Sequence, residues 1–264
     1  MNASKPTRAC AVISFLLMIF ANIFAEVFAL NGTTTGGVSD SFPTLFTPAG
    51  YTFAIWGLIY LLLLLHVLYV TSIIRVGPSA ISVADANYIE RLFSVSSIAN
   101  AAWIICWHFF AIPLTVVLIF TMLACIALVN VRLHRLDLGN GDRVCTLLPF
   151  SVYFGWLTVA AIANVCVLLV SWGFTGAPFP DIWTIAILLV GSAIASATAL
   201  HHGDAAYMIV VIWAYIGILV NHVSAEGYAL GFVDITVTTA LCIAAMVTVA
   251  AVVLRPKGRP SIRR

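Results

Sequence analysis

The sequence predicts an all-α integral membrane protein with eight transmembrane helices, and three observations predict it. Of 264 residues, 62% are hydrophobic and only 8% are charged, whereas soluble domains carry roughly 45–50% apolar and 25% charged residues. The apolar stretches are continuous, as over 60–65 and 247–254. An outer-membrane barrel alternates apolar and polar residues instead. In lipid each backbone amide must be paired within its own element, so such runs read as helices. Finally, eight crossings place all 12 Lys and Arg on one side of the membrane. The lipid bilayer is therefore the first partner. Nucleic acid is excluded, because the net charge is only +2 and no basic run lies beside aromatic residues.

A spanning helix needs about 20 apolar residues, and eight stretches qualify: 10–30, 51–74, 92–112, 114–131, 144–172, 182–200, 205–222 and 235–254. The first could also be a secretory signal, since Val27-Phe28-Ala29 resembles a cleavage site. It is long for a signal's apolar segment, which favours a helix. The second follows a loop rich in Gly, Thr, Ser and Pro. The third and fourth are joined only by Ala111-Ile112-Pro113. As one helix they would reach ~60 Å, twice the ~30 Å hydrocarbon core, so the chain must turn at Pro113, which cannot continue a helix ladder. The fifth carries Pro149 in its first turns, which predicts a tilt or kink. The sixth has small residues at intervals of four from Gly191 to Ala199, which predicts a close helix contact within or between protomers. His201-His202-Gly203-Asp204 reads as a tight polar turn into the seventh, with a metal-binding tetrad as the alternative. The eighth runs into a basic tail.

The basic residues share one side: Lys5, Arg8, Arg75, Arg91, Arg132, Arg135, Arg143, Arg255, Lys257, Arg259, Arg263 and Arg264. The positive-inside rule then places both termini in the cytoplasm. The longest opposite loop, 31–50, contains Phe42, Leu45 and Phe46. It either folds onto the helices or anchors at the interface. Trp172 and Trp183 read as aromatic-belt residues.

The second helix opens with Thr47-Pro48-Ala49-Gly50-Tyr51-Thr52-Phe53-Ala54-Ile55-Trp56-Gly57-Leu58-Ile59-Tyr60. The third carries Asn100-Ala101-Ala102-Trp103, and the fifth carries Leu148-Pro149-Phe150 followed by Tyr153 and Trp156. In order and spacing these resemble the translocator protein / tryptophan-rich sensory protein (TspO/MBR) family over roughly residues 10–172. The family's Asn on the fifth helix falls at Ala161 by count, with Asn164 one turn later. The resemblance implies a five-helix bundle over 1–172, with three additional helices and the tail over 173–264. It also implies a pocket for a tetrapyrrole, sterol or related hydrophobic small molecule, a role as sensor, carrier or scavenger, and a possible homodimer.

The residues support such a pocket by their own chemistry. Trp56 and Tyr60 lie one turn apart, as do Trp103 and Trp107, and Asn100 shares their face. With Tyr153, Trp156 and Asn164 they offer flat π-faces and amide groups to a planar apolar ligand. Simple packing of the bundle is the alternative reading. Glu26, His66, His108 and His222 are ionisable groups within spans, where such groups are costly and usually functional. They form a polar cluster if their helices converge; snorkelling to the interface is the alternative, most readily for Glu26 and least for His66, which has farther to reach water.

The six cysteines form no paired pattern, so neither a disulfide framework nor a metal site is expected. No resident cofactor is expected, and a tetrapyrrole enters only as a ligand. No phosphate loop, H-E-x-x-H or G-x-S-x-G pattern appears. A binding protein is expected rather than an enzyme, and a secondary transporter is the alternative.

Overall fold

Residues 3–255 are described by a computed structural model. The basic tail residues Lys257, Arg259, Arg263 and Arg264 lie outside the described residues. Eight helices are long and apolar enough to cross a membrane. We label them α1 (Lys5–Val27), α2 (Gly50–Val70), α3 (Val83–His108), α4 (Ile112–His134), α5 (Asn140–Ser171), α6 (Pro180–His202), α7 (Ala205–Val223) and α8 (Val233–Leu254). No strand occurs among the described residues. With eight crossings both described ends lie on one face, here the terminal face. Loop 31–50 lies on the other, distal face.

Local chemistry sets the helix ends. α3 begins at Val83, well before the expected 92. The reason is an N-cap: Ser82 Oγ accepts from the Asp85 amide at 3.1 Å and donates to Asp85 Oδ2 at 2.7 Å. Hydropathy discounted this turn because Asp85, Glu90 and Arg91 lie in it. The chain reverses between α3 and α4 at Phe110, whose φ of 57° is left-handed, and Pro113 falls in the first turn of α4. α5 carries one turn of π-helix, Arg143–Leu147, just before Pro149, where the proline predicts a tilt or kink. Between α6 and α7, Gly203 adopts φ 67°. Asp204 Oδ1 then caps α7 by accepting from the Tyr207 amide at 3.0 Å, which makes the polar turn expected there.

Contacts order α1 to α5 as a closed ring: α1 against α2, α2 against α5, α5 against α4, α4 against α3, and α3 back against α1. α2 and α3 therefore face each other across the interior. α7 packs on the outside of α5 and on the first turn of α2, while α6 and α8 pack on α7 and on each other. The small residues of α6 are used inside the protomer. Gly191, Ala195 and Ala199 are buried, and a Cβ on Gly191 would lie 2.7 Å from the Tyr215 hydroxyl. Large apolar side chains cover the outward faces; Leu61 is 63% and Leu241 65% exposed, as lipid contact requires.

Loop 31–50 folds down onto the helices. Phe46 is buried, and Phe42 packs against Phe110 at 6.0 Å between ring centroids. The loop contains a short helix, Thr35–Asp40. Trp172 and Trp183 remain exposed at the distal ends of α5 and α6, where a belt residue belongs.

Candidate functional site

Four of the expected residues meet directly in the distal half of the ring. Trp56 on α2 lies with its ring centroid 6.2 Å from Trp103 on α3. The rings of Tyr153 and Trp156 on α5 approach it edge-on, at 6.1 and 6.0 Å. Helical spacing extends the wall: Tyr60 stacks on Trp56 at 5.6 Å and Trp107 stacks on Trp103 at 5.3 Å. The result is a continuous aromatic surface drawn from three helices.

Buried amides hold the wall in place. Trp103 Nε1 donates to Asn164 Oδ1 at 2.9 Å, and Asn164 Nδ2 donates to Thr115 Oγ1 at 2.9 Å. One turn lower, Asn22 Nδ2 donates to Asn100 Oδ1 at 2.7 Å, and Asn100 Nδ2 donates to the Tyr153 hydroxyl at 3.3 Å. Trp107 Nε1 donates to the Thr35 carbonyl at 3.0 Å, tying the wall to the distal loop. Trp156 Nε1 is the exception, being buried with no hydrogen-bond partner. Such an orphaned donor is costly in an apolar setting.

Two spaces adjoin this wall. A narrow slot of about 50 Å³ is bounded by Trp56, Trp103, Trp107, Trp156 and Asn164. A groove of about 500 Å³ lies on the other side of Trp56 and Trp103, between α1 and α2, with Glu26, Tyr60 and Gly57 on its margin. Gly57 is exposed, and a Cβ there would touch nothing, so the groove opens toward lipid. The interior of the five-helix ring is thus mostly filled, and the larger space is the lateral groove.

The four ionisable residues do not form one cluster, because α7 stands outside the ring and His66 lies near the terminal face. Glu26 and His108 both hold the distal loop. Glu26 Oε1 accepts from the Thr35 amide at 3.0 Å, and His108 contacts the Thr35 hydroxyl at 3.3 Å and the Leu30 carbonyl at 2.9 Å. His222 binds the other end of that loop through the Leu45 carbonyl at 2.8 Å. His66 instead pairs with Glu90 at 2.9 Å, both side chains being fully buried. Glu90 was hidden by the late start expected for α3, although the Ser82-x-x-Asp85 capping signal places it inside the helix. Asn22 was equally unread, since a lone amide in an apolar run gives no periodic signal.

A family model described as TSPO-like protein matches residues 8–254. The match runs through all eight helices and so extends past the 10–172 stretch that carries the motifs. No curated protein and no solved structure matches the chain. Eight apolar helices, the aromatic and amide motifs on α2, α3 and α5, and a match over nearly the whole length lead to one assignment: the chain belongs to the TSPO-like protein family.

Proposed function

We propose that this membrane protein binds a flat, hydrophobic small molecule, of tetrapyrrole or sterol type, against the Trp56–Trp103–Trp156 wall. The observation that carries this reading is the Trp156 indole N–H, buried and unpartnered beside three other indoles. A ligand with a carbonyl, ether or carboxylate edge would satisfy that donor while its apolar face stacks on the rings. Ligand sites usually occupy about 300–1,000 Å³, so binding requires Trp56 to swing and merge the slot with the lateral groove. The groove's opening between α1 and α2 supports arrival of the ligand from the bilayer. The wall offers stacking surfaces and hydrogen bonds, so the role is that of sensor, carrier or scavenger rather than enzyme. The positive-inside rule supports placing the terminal face in the cytoplasm, and the reading allows a homodimer.

The test is titration of the protein in lipid nanodiscs with protoporphyrin IX dimethyl ester, followed by tryptophan quenching. Saturable quenching in the micromolar range is expected. Asn100→Ala and Trp103→Ala should each weaken it by about tenfold, equivalent to about 1.4 kcal/mol. Unchanged affinity in both variants refutes the site. A secondary transporter is the second reading, favoured by the buried His66–Glu90 pair. Uptake of the same porphyrin into proteoliposomes, driven by a pH gradient, would distinguish it from a carrier that only equilibrates.

A further inference from the structure

His66 and Glu90 lie near the terminal face, two helices apart in the ring, and their contact crosses the interior from α2 to α3. Both side chains are fully buried. Their hydrogen bonds fix the proton count. His66 Nδ1 lies 3.2 Å from the Cys145 carbonyl, which can only accept, so Nδ1 carries a hydrogen. That carbonyl is free because the residue four positions on, Pro149, has no N–H to give it. The remaining contact, Nε2 to Glu90 Oε1 at 2.9 Å, needs one proton between the atoms. Without it two lone pairs would face each other. The pair is neutral while it holds that proton, either as imidazolium with carboxylate or as imidazole with carboxylic acid. Loss of the proton leaves one negative charge in a low-dielectric interior and breaks the α2–α3 tie.

Further buried polar groups lie along α3 and at the start of α5. Glu90 Oε2, Ser97 Oγ and Thr146 Oγ1 are buried without partners. Glu90, Ser94, Ser97 and Asn100 follow one another at helical spacing on α3, all buried. This polar stripe runs from the pair to the amide that holds Tyr153 at the base of the aromatic wall. Phe93 and Phe150 pack edge-on to His66 at 5.6 and 4.7 Å and separate the pair from lipid. Several titratable groups on the surrounding helices have partners of their own toward the terminal face, while Lys5 is exposed. Tyr69 donates to Asp142, Arg132 pairs with Asp85, His134 bonds the Asn130 carbonyl, and Arg143 and Arg8 bond the Leu138 and Ala3 carbonyls. Arg91 is exposed, and the Cys145 side chain is buried.

We propose that His66 and Glu90 form an intramembrane proton-binding site that gives up its proton when the aromatic wall takes a ligand. The coupling rests on the ligand reading above. Merging the slot with the groove moves Trp56 of α2 away from Trp103 of α3, which is easier when these helices are free to separate, and the protonated pair holds them together. Ligand binding therefore favours the deprotonated, untied state. The proton passes from between Nε2 and Oε1 to water at the terminal face, leaving one negative charge on the pair.

Two measurements on the protein in nanodiscs test this. In ligand-free protein, infrared difference spectra across a pH titration should show either a carboxylic-acid band of Glu90 or an imidazolium band of His66, which Glu90→Gln removes. Absence of both bands overturns the proton site. With protoporphyrin IX dimethyl ester, which carries no titrating carboxylates, affinity should rise by up to about tenfold per pH unit as the pair deprotonates, with release of one proton per ligand. Glu90→Gln, whose amide can donate to Nε2 in place of the titrating proton, should bind the ester with a flat pH profile. A pH-independent affinity in the native protein, or proton uptake on binding, overturns the coupling. Failure of the ester to bind at any pH refutes the ligand reading and the coupling with it, and leaves the infrared band to decide the proton site.

Discussion

The bond from Trp103 Nε1 to Asn164 Oδ1 joins α3 to α5 at the centre of the aromatic wall, and its removal has a calculable cost. Asn164→Leu keeps the volume but orphans the Trp103 donor at 2.9 Å. The Thr115 hydroxyl keeps its own bond to the Ile112 carbonyl, so the indole bears most of the loss. An orphaned buried donor costs about 1–3 kcal/mol in soluble proteins. Interhelical bonds in membranes average about 0.6 and reach about 1.7 kcal/mol. Because both residues are buried, we expect about 1 kcal/mol. For a chain of this size that lowers Tm by about 2–4 °C. The assay is a double-mutant cycle in detergent with Trp103→Phe, in which each single variant loses stability and the double loses less than their sum. A coupling within about 0.3 kcal/mol of zero would refute the claim that this bond fixes the wall.

Other perturbations act on the surroundings of the site. Gly217→Val drives a side chain into Thr52, which a Cβ there would already strike; overpacking of about 1–3 kcal/mol should show as a lower Tm and easier proteolysis of loop 31–50. His108→Ala removes the contacts to Thr35 and Leu30, so hydrogen exchange should quicken over 30–40 and stay unchanged at the turn around Gly203. Asp142→Ala deletes the acceptor for Tyr69, Ser79 and the Ala80 amide, bonded at 2.7–2.8 Å. A loss of about 2 kcal/mol or more should appear as reduced thermal stability and faster exchange over 71–82.

Several features were legible in the residues because they depend only on local order. Apolar run length identified the eight spans, and Pro113 required the reversal before α4. Pro149 announced the disturbance in α5, though its consequence, a free Cys145 carbonyl that receives His66, could be seen only with the helices assembled. The aromatic pairs Trp56–Tyr60 and Trp103–Trp107 followed from a spacing of four. Glu90 escaped because hydropathy treats a charged turn as loop. Its partner lies 24 positions away, on a helix that faces α3 across the ring.

The sequence alone determined the class of solvent, the number of crossings and which residues could share a helix face, because burial in lipid and helical periodicity act over a few turns of chain. Tertiary structure alone decided that Glu26 and His108 hold a loop, that His222 holds that loop's other end, and that His66 meets Glu90. It also decided that the indole wall borders a slot and a lateral groove instead of an open hollow. These outcomes depend on which helices become neighbours, and the order of helices around the ring is set by side-chain packing between segments far apart in the chain.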